Sequence, residues 1–157
     1  IISSIRGARW AKPIRITQEF MAIIFEGANG DIQTFGPQAL TPTDQAGVFS
    51  TDTLVAAFTE AGHSGESIRG TVHNHSAGIN GDTATSAYPS GTDWGSTSFT
   101  SIGADTNNMS MYIIDNLGSS REFSYANEQY YYSLTSAQMA AGEGLPDGME
   151  AGNDCSE

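Results

Sequence analysis

Cysteine is nearly absent from the chain: Cys155 stands alone in a polar C-terminal stretch, so no internal disulfide can form and no thiolate cluster can hold a metal. Basic side chains are scarce too. Six Lys and Arg against 18 Asp and Glu leave a formal charge of -12, which repels a phosphate backbone and argues against nucleic acid as a partner. No run approaches the ~20 apolar residues of a membrane helix. The longest candidate, Phe20 to Phe25, is far too short, so the chain reads as soluble with no membrane partner. It begins at Ile1 with no basic stretch followed by an apolar one, and therefore reads as a fragment with no signal peptide in view. The lack of any fixed-period repeat excludes solenoid and fibrous architectures.

The residues present suit one compact domain. The 157 residues carry enough Ile, Val, Phe, Tyr and Leu for a core. Ile1 to Ala11 reads as a short helix ended by Pro13. Phe20 to Phe25 and Asp31 to Phe35 flank Asn29-Gly30 as a hairpin. A helix comes next, from Ser50 or Thr51, with Leu54, Val55 and Phe58 on one face, and ends near Gly62. Ser67 to His75 is extended, and 76–89 is a long loop rich in Gly and Ser. A short helix is expected from Asp93 to Ile102, then a second hairpin from Met109–Ile114 and Arg121–Tyr125 around Asn116-Leu117-Gly118. Tyr130 to Ala141 reads as a last helix, giving one domain over 1–141 and a loosely held acidic tail over 142–157. The fold class is α/β: a mixed, largely antiparallel sheet flanked by helices.

Two of the three histidines fall in His73-Asn74-His75 at the end of a predicted strand, where residues i and i+2 share a face and can bind one metal ion. A pair of surface histidines beside a loop would look the same. Ser90-Gly91-Thr92-Asp93 comes after the long loop, and Asp93 offers a third ligand; two imidazoles and one carboxylate leave a position open on zinc, as a catalytic site requires. The same four residues also spell a capping box. A hydrolytic site needs a base, and Glu19, just before the first apolar run, is the candidate, with Glu26 in competition. His63, among small turn residues, reads as a loop residue and not a ligand. His-Asn-His does not mark an HNH nuclease here, because that motif is built of widely spaced residues and the basic surface for DNA is missing. Trp10, Trp94 and Tyr130 to Tyr132 are core or groove-lining, Trp94 being the one placed to line a groove because it comes directly after Asp93.

Glu19, His73-x-His75 and Ser90-x-x-Asp93, in this order, resemble the JAMM/MPN+ zinc metalloproteases. Glu19-Phe20 entering a strand, the Asn29-Gly30 hairpin and the Asp115-Asn116-Leu117-Gly118 turn look most like the JAB-like domains at the C-termini of bacterial polymorphic (RHS-type) toxins. The resemblance spans Gln18 to Tyr125 and implies a JAMM/cytidine-deaminase-like α/β sandwich. It implies Zn2+ on His73, His75 and Asp93, a proton carried by Glu19, and an oxyanion held with help from Ser90. The implied activity is cleavage of a peptide or isopeptide bond in a protein or peptide substrate. The implied setting is the C-terminal effector part of a larger secreted protein, delivered into a target cell and matched by an immunity protein. The alternative is a non-catalytic module of the same fold that recognises a protein partner. The chain departs from the family pattern in carrying Ser76 where proline is usual after the second histidine, and in the longer gap between His75 and Ser90.

Overall fold

A computed structural model of the chain describes residues 19–39, 51–75, 87–114 and 119–149. Its centre is a five-stranded open sheet built from β1 (Phe20–Glu26), β2 (Ile32–Ala39), β3 (Ile68–Asn74), β4 (Ser110–Ile114) and β5 (Ser120–Ser124). The strand order is β2-β1-β3-β4-β5, and every pairing is antiparallel except β3 with β4. With helices packed on it, this is the mixed, largely antiparallel α/β fold expected from the sequence. The expected N-terminal helix, the turn at 115–118 and most of the 76–89 loop lie outside the described residues.

Each element arises from local chemistry. β1 and β2 are joined at the Asn29-Gly30 turn, where Gly30 takes a left-handed φ of 79° and Gly27 accepts its N–H. Helix α1 (Thr51–Glu60) buries Thr51, Leu54, Val55 and Phe58, the i, i+3, i+4, i+7 stripe of an amphipathic helix. His63 lies in the turn after α1 but is no bare loop residue: its ring stacks on Phe58 at 4.7 Å and also meets Phe25 and Phe35.

Strand alternation sorts the core into two layers. Met21, Ile23 and Phe25 of β1 face the helices, packing with Leu54, Phe58, Trp94, Phe99, Met111 and Phe123. Ala22, Ile24, Val72 and Tyr112 pack on the opposite face with Ile32, Ile114 and Met149. β3 has both faces covered, and all but one of its residues are buried.

The predicted helix from Asp93 to Ile102 is two helices, α2 (Gly91–Trp94) and α3 (Ser96–Ser101). Gly95 separates them in the left-handed region at φ 52°. The predicted helix from Tyr130 to Ala141 is likewise divided, into α4 (Glu128–Ser133) and α5 (Ser136–Ala140). Thr135 starts the second with a capping box: its Oγ1 accepts the Gln138 N–H while its own N–H donates to Gln138 Oε1 at 2.9 Å.

The segment after Ala141 is not loose as far as Met149. Leu145 packs on the core, Arg121 donates to the Pro146 carbonyl, and Met149 donates to the Ser120 carbonyl at 2.7 Å. Tyr88 and Tyr131 hydroxyls donate to the carbonyls of Glu143 and Gly144, both at 2.9 Å. A low apolar content hid this docking, because backbone groups, one leucine and one methionine supply the contacts. Residues 150–157 lie outside the described part.

A Cβ at Gly95 would collide with Thr51 Oγ1, whereas one at Gly62, also left-handed at φ 88°, meets nothing within 4 Å. Gly62→Ala should therefore lose only the ~1–2 kcal/mol of left-handed backbone. Gly95→Ala should lose clearly more in urea denaturation; equal losses would show that Thr51 yields freely.

Candidate metal centre

β3 is the central strand of the sheet and one of its parallel pair, and its two-residue repeat projects Thr71 and His73 to the helix-covered face. His75 stands one residue past the strand, held by its N–H to the Ile114 carbonyl at 2.9 Å, which carries the β3–β4 ladder one step further. α2 brings Asp93 to the same place. Trp94 anchors that helix: it is 1% exposed, edge-on to Tyr125 at 5.4 Å and stacked on Tyr131 at 5.9 Å. Trp94 is thus core, not groove lining. The side chain after Asp93 on a single helical turn points about a third of the way round, here into the interior.

The three predicted ligands meet. His73 Nε2 lies 3.1 Å from His75 Nε2, and Asp93 Oδ2 lies 3.3 Å from His75 Nε2 and 3.6 Å from His73 Nε2. For bonds of about 2.0–2.1 Å, the edges of a tetrahedral zinc site are about 3.3–3.4 Å. The observed triangle matches that spacing, and the buried cluster can hold a metal ion. It is the one such group among the described residues. His73 and Asp93 are each 2% exposed. Burial opposes ionisation of Asp93, but hydrogen bonds from His73 and His75 and the attraction of their rings outweigh it and hold the carboxyl well below the usual carboxylate range. An anionic oxygen and two imidazole nitrogens facing one point in a buried setting form the donor set that a divalent cation would complete.

Ser90 and Asp93 satisfy both readings of Ser-x-x-Asp. Ser90 N–H donates to Asp93 Oδ2 at 2.5 Å, the capping interaction, and the same oxygen faces the histidines. The cap thereby orients the carboxylate. Ser90 itself is exposed at the start of α2, beside the centre.

Glu19 is half-buried immediately before β1. Met21 is paired with His73, so Glu19, two residues before Met21, lies at the end of the sheet where β3 runs into His75. Glu26 is at the other end of β1, where its carboxylate takes Arg69 Nη2 at 2.6 Å. Of the two glutamates, Glu19 is the one at the end of β1 that pairs with His73.

Further residues around the centre escape sequence reasoning. Asn74 Oδ1 accepts the Phe20 N–H at 2.8 Å. Thr71 Oγ1 and the Tyr125 hydroxyl lie 3.1 Å apart beneath His73, and burial pushes the Tyr125 phenol well above its ordinary range. Tyr132, exposed, donates to the Gly91 carbonyl at 3.0 Å and ties α4 to the start of α2. Each pairing joins residues more than forty positions apart, which no local pattern reveals; the only hint was the Asn between the two histidines.

No helix among the described residues is long and apolar enough to cross a membrane. Comparison of the chain with protein-family models, curated proteins and solved structures finds no match.

Asp93→Asn keeps an acceptor for the Ser90 N–H but removes the anionic ligand. It should fold and yet bind divalent zinc or cobalt more weakly by a factor exceeding the roughly 10–100-fold typical of losing an outer partner. His63→Ala should leave metal affinity unchanged. Isothermal titration of metal into chelator-treated protein reads both.

Proposed function

We propose that the chain is a zinc-dependent hydrolase that cleaves a peptide or isopeptide bond. The observation that carries this reading is the triangle of His73 Nε2, His75 Nε2 and Asp93 Oδ2, spaced for a tetrahedral ion. Three protein ligands, two of them imidazoles, suit a catalytic zinc better than a structural one, which takes four. Zinc held there supplies a Lewis acid for the scissile carbonyl and for an attacking water.

The remaining work falls to the chain. Glu19, at the end of β1 beside His73, receives the proton of the attacking water and passes it to the leaving amine, so one carboxylate serves as base and then as acid. Ser90, exposed beside Asp93, offers a hydroxyl donor to the oxygen of the tetrahedral intermediate. Backbone geometry sets the ligands before any substrate arrives: His75 is tied to Ile114, and Asp93 to the Ser90 amide. The resemblance to JAMM/MPN+ proteases, and within them to JAB-like toxin domains, supports the same assignment and extends it to a secreted effector acting on a protein target. A metal site with a neighbouring carboxylate favours turnover over simple partner binding, since binding alone asks for no base.

Metal analysis and hydrolysis together test the reading. The native chain should carry close to one zinc per molecule and cleave members of a panel of peptides and lysine-linked isopeptides. Glu19→Gln should keep the zinc and lose about 10²–10⁴-fold in rate, the usual worth of a general base. Ser90→Ala should keep the zinc and lose about 10²–10³-fold. Zinc-loaded Glu19→Gln as active as the native chain would remove the base assignment, and failure to bind zinc at all would remove the hydrolase.

A further inference from the structure

The backbone pairing of β1 with β3 runs from Phe25–Ile68 to Met21–His73 and then stops. One position beyond, where Phe20 and Asn74 face each other, a side chain takes over: Asn74 Oδ1 accepts the Phe20 N–H at 2.8 Å. Both strands end here, β1 at Phe20 and β3 at Asn74. His75 gives its N–H to Ile114 on the β4 side, the next rung of the β3–β4 ladder. Phe20 meanwhile remains in register with Ala39 of β2. Beyond the last β1–β3 pair, Phe20 is thus in register with β2 and His75 is bonded to β4, and the Asn74 carboxamide joins the two strand ends at the last residue before His75 and the first after Glu19.

We infer that Asn74 is a positioning residue: its buried carboxamide clamps the backbone next to Glu19 to the backbone between the two histidines, and so sets where the Glu19 carboxylate stands relative to the metal ligands. Three observations carry this. Asn74 is 2% exposed, so its acceptor works in a setting where a lost hydrogen bond is not replaced by water. It lies between the ligands in sequence, but its alternation on the strand points it away from their face, so it is not itself a ligand. Its partner, Phe20, is the residue adjoining Glu19. A shift of about 1 Å at a reacting group is enough to cost on the order of 10²-fold in rate. A clamp at this joint acts on the base and leaves the ligands alone.

The inference rests on the proposed role of Glu19, and a double-mutant cycle separates the two. The protein is zinc-loaded, and the probe is 4-nitrophenyl acetate, an activated ester that needs no substrate recognition. Asn74→Leu, similar in size but without an acceptor, should retain full zinc stoichiometry and lose about 10–100-fold in rate. In the Glu19→Gln background the same substitution should cost nothing more, because the group it positions is gone. Amide exchange by NMR gives a readout independent of activity: the Phe20 N–H should exchange faster in Asn74→Leu and recover in Asn74→Asp, which keeps an acceptor oxygen. Asn74→Ala gives the same readings where the leucine variant does not fold. A rate loss that persists in the Glu19→Gln background, loss of zinc with the clamp, or an unchanged Phe20 exchange rate overturns the positioning role. A native chain whose rate is indifferent to Glu19→Gln instead overturns the base, and the positioning role with it, while the exchange data still report whether the clamp exists.

Discussion

Two imidazoles and a carboxylate placed side by side in a protein interior are held against a desolvation cost, and the arrangement around β3 is organised by how that cost is met. His73 and Asp93 are almost fully buried, and His75 nearly so. Unpaired, each would forfeit hydration without return. Together they compensate one another: without an ion the histidine contacts keep Asp93 ionised and the Ser90 amide takes a share of its charge, and the same three ligand atoms surround a common point that a cation can fill once the imidazoles give up their protons there. Burial sharpens the electrostatics, because the same charges would be weakly coupled in water.

That cluster in turn constrains its supports. The sheet must place β3 in the middle, since only a strand flanked on both sides can hold His73 rigidly while the helices cover its face. α2 is only one turn long and cannot hold itself in water, so its position comes from Trp94 sunk among Tyr125 and Tyr131, and from Tyr132 on the Gly91 carbonyl. Gly95 lets the chain turn at once into α3, bringing Phe99 into the same core. The residues 142–149 lie across α4 and the edge strand β5, where Met149 pairs with Ser120 and occupies one end of an edge that no other described strand covers.

The parts legible in the sequence are those set by local rules. The β1–β2 hairpin, the face of α1, the extended character of β3 and the β4–β5 pair arise from turn residues and from periods of 2 and 3.6. His73 and His75 fall on one face for the same reason. The helices over 93–102 and 130–141 read as longer than they are because a single glycine and a Thr-x-x-Gln cap are weak punctuation beside continuous helical composition. Trp94 misleads because position next to a ligand says nothing about which way a one-turn helix faces. The tail looks looser than it is because its anchorage is through main-chain groups, which composition does not display.

By itself the sequence determined which side chains could do chemistry: two histidines two apart, an aspartate after a serine, and a glutamate ahead of a strand. These are statements about residue type and short spacing, and they hold wherever the chain goes. Tertiary structure alone decided that Asp93, eighteen residues beyond His75, lies 3.3 Å from it, that Glu19 and not Glu26 is at the end of β1 beside His73, and that Asn74 reaches Phe20 across fifty-four positions. Such contacts depend on strand order and register. Both are set by the sum of many apolar burials across the sheet, and no short segment of the chain contains that sum.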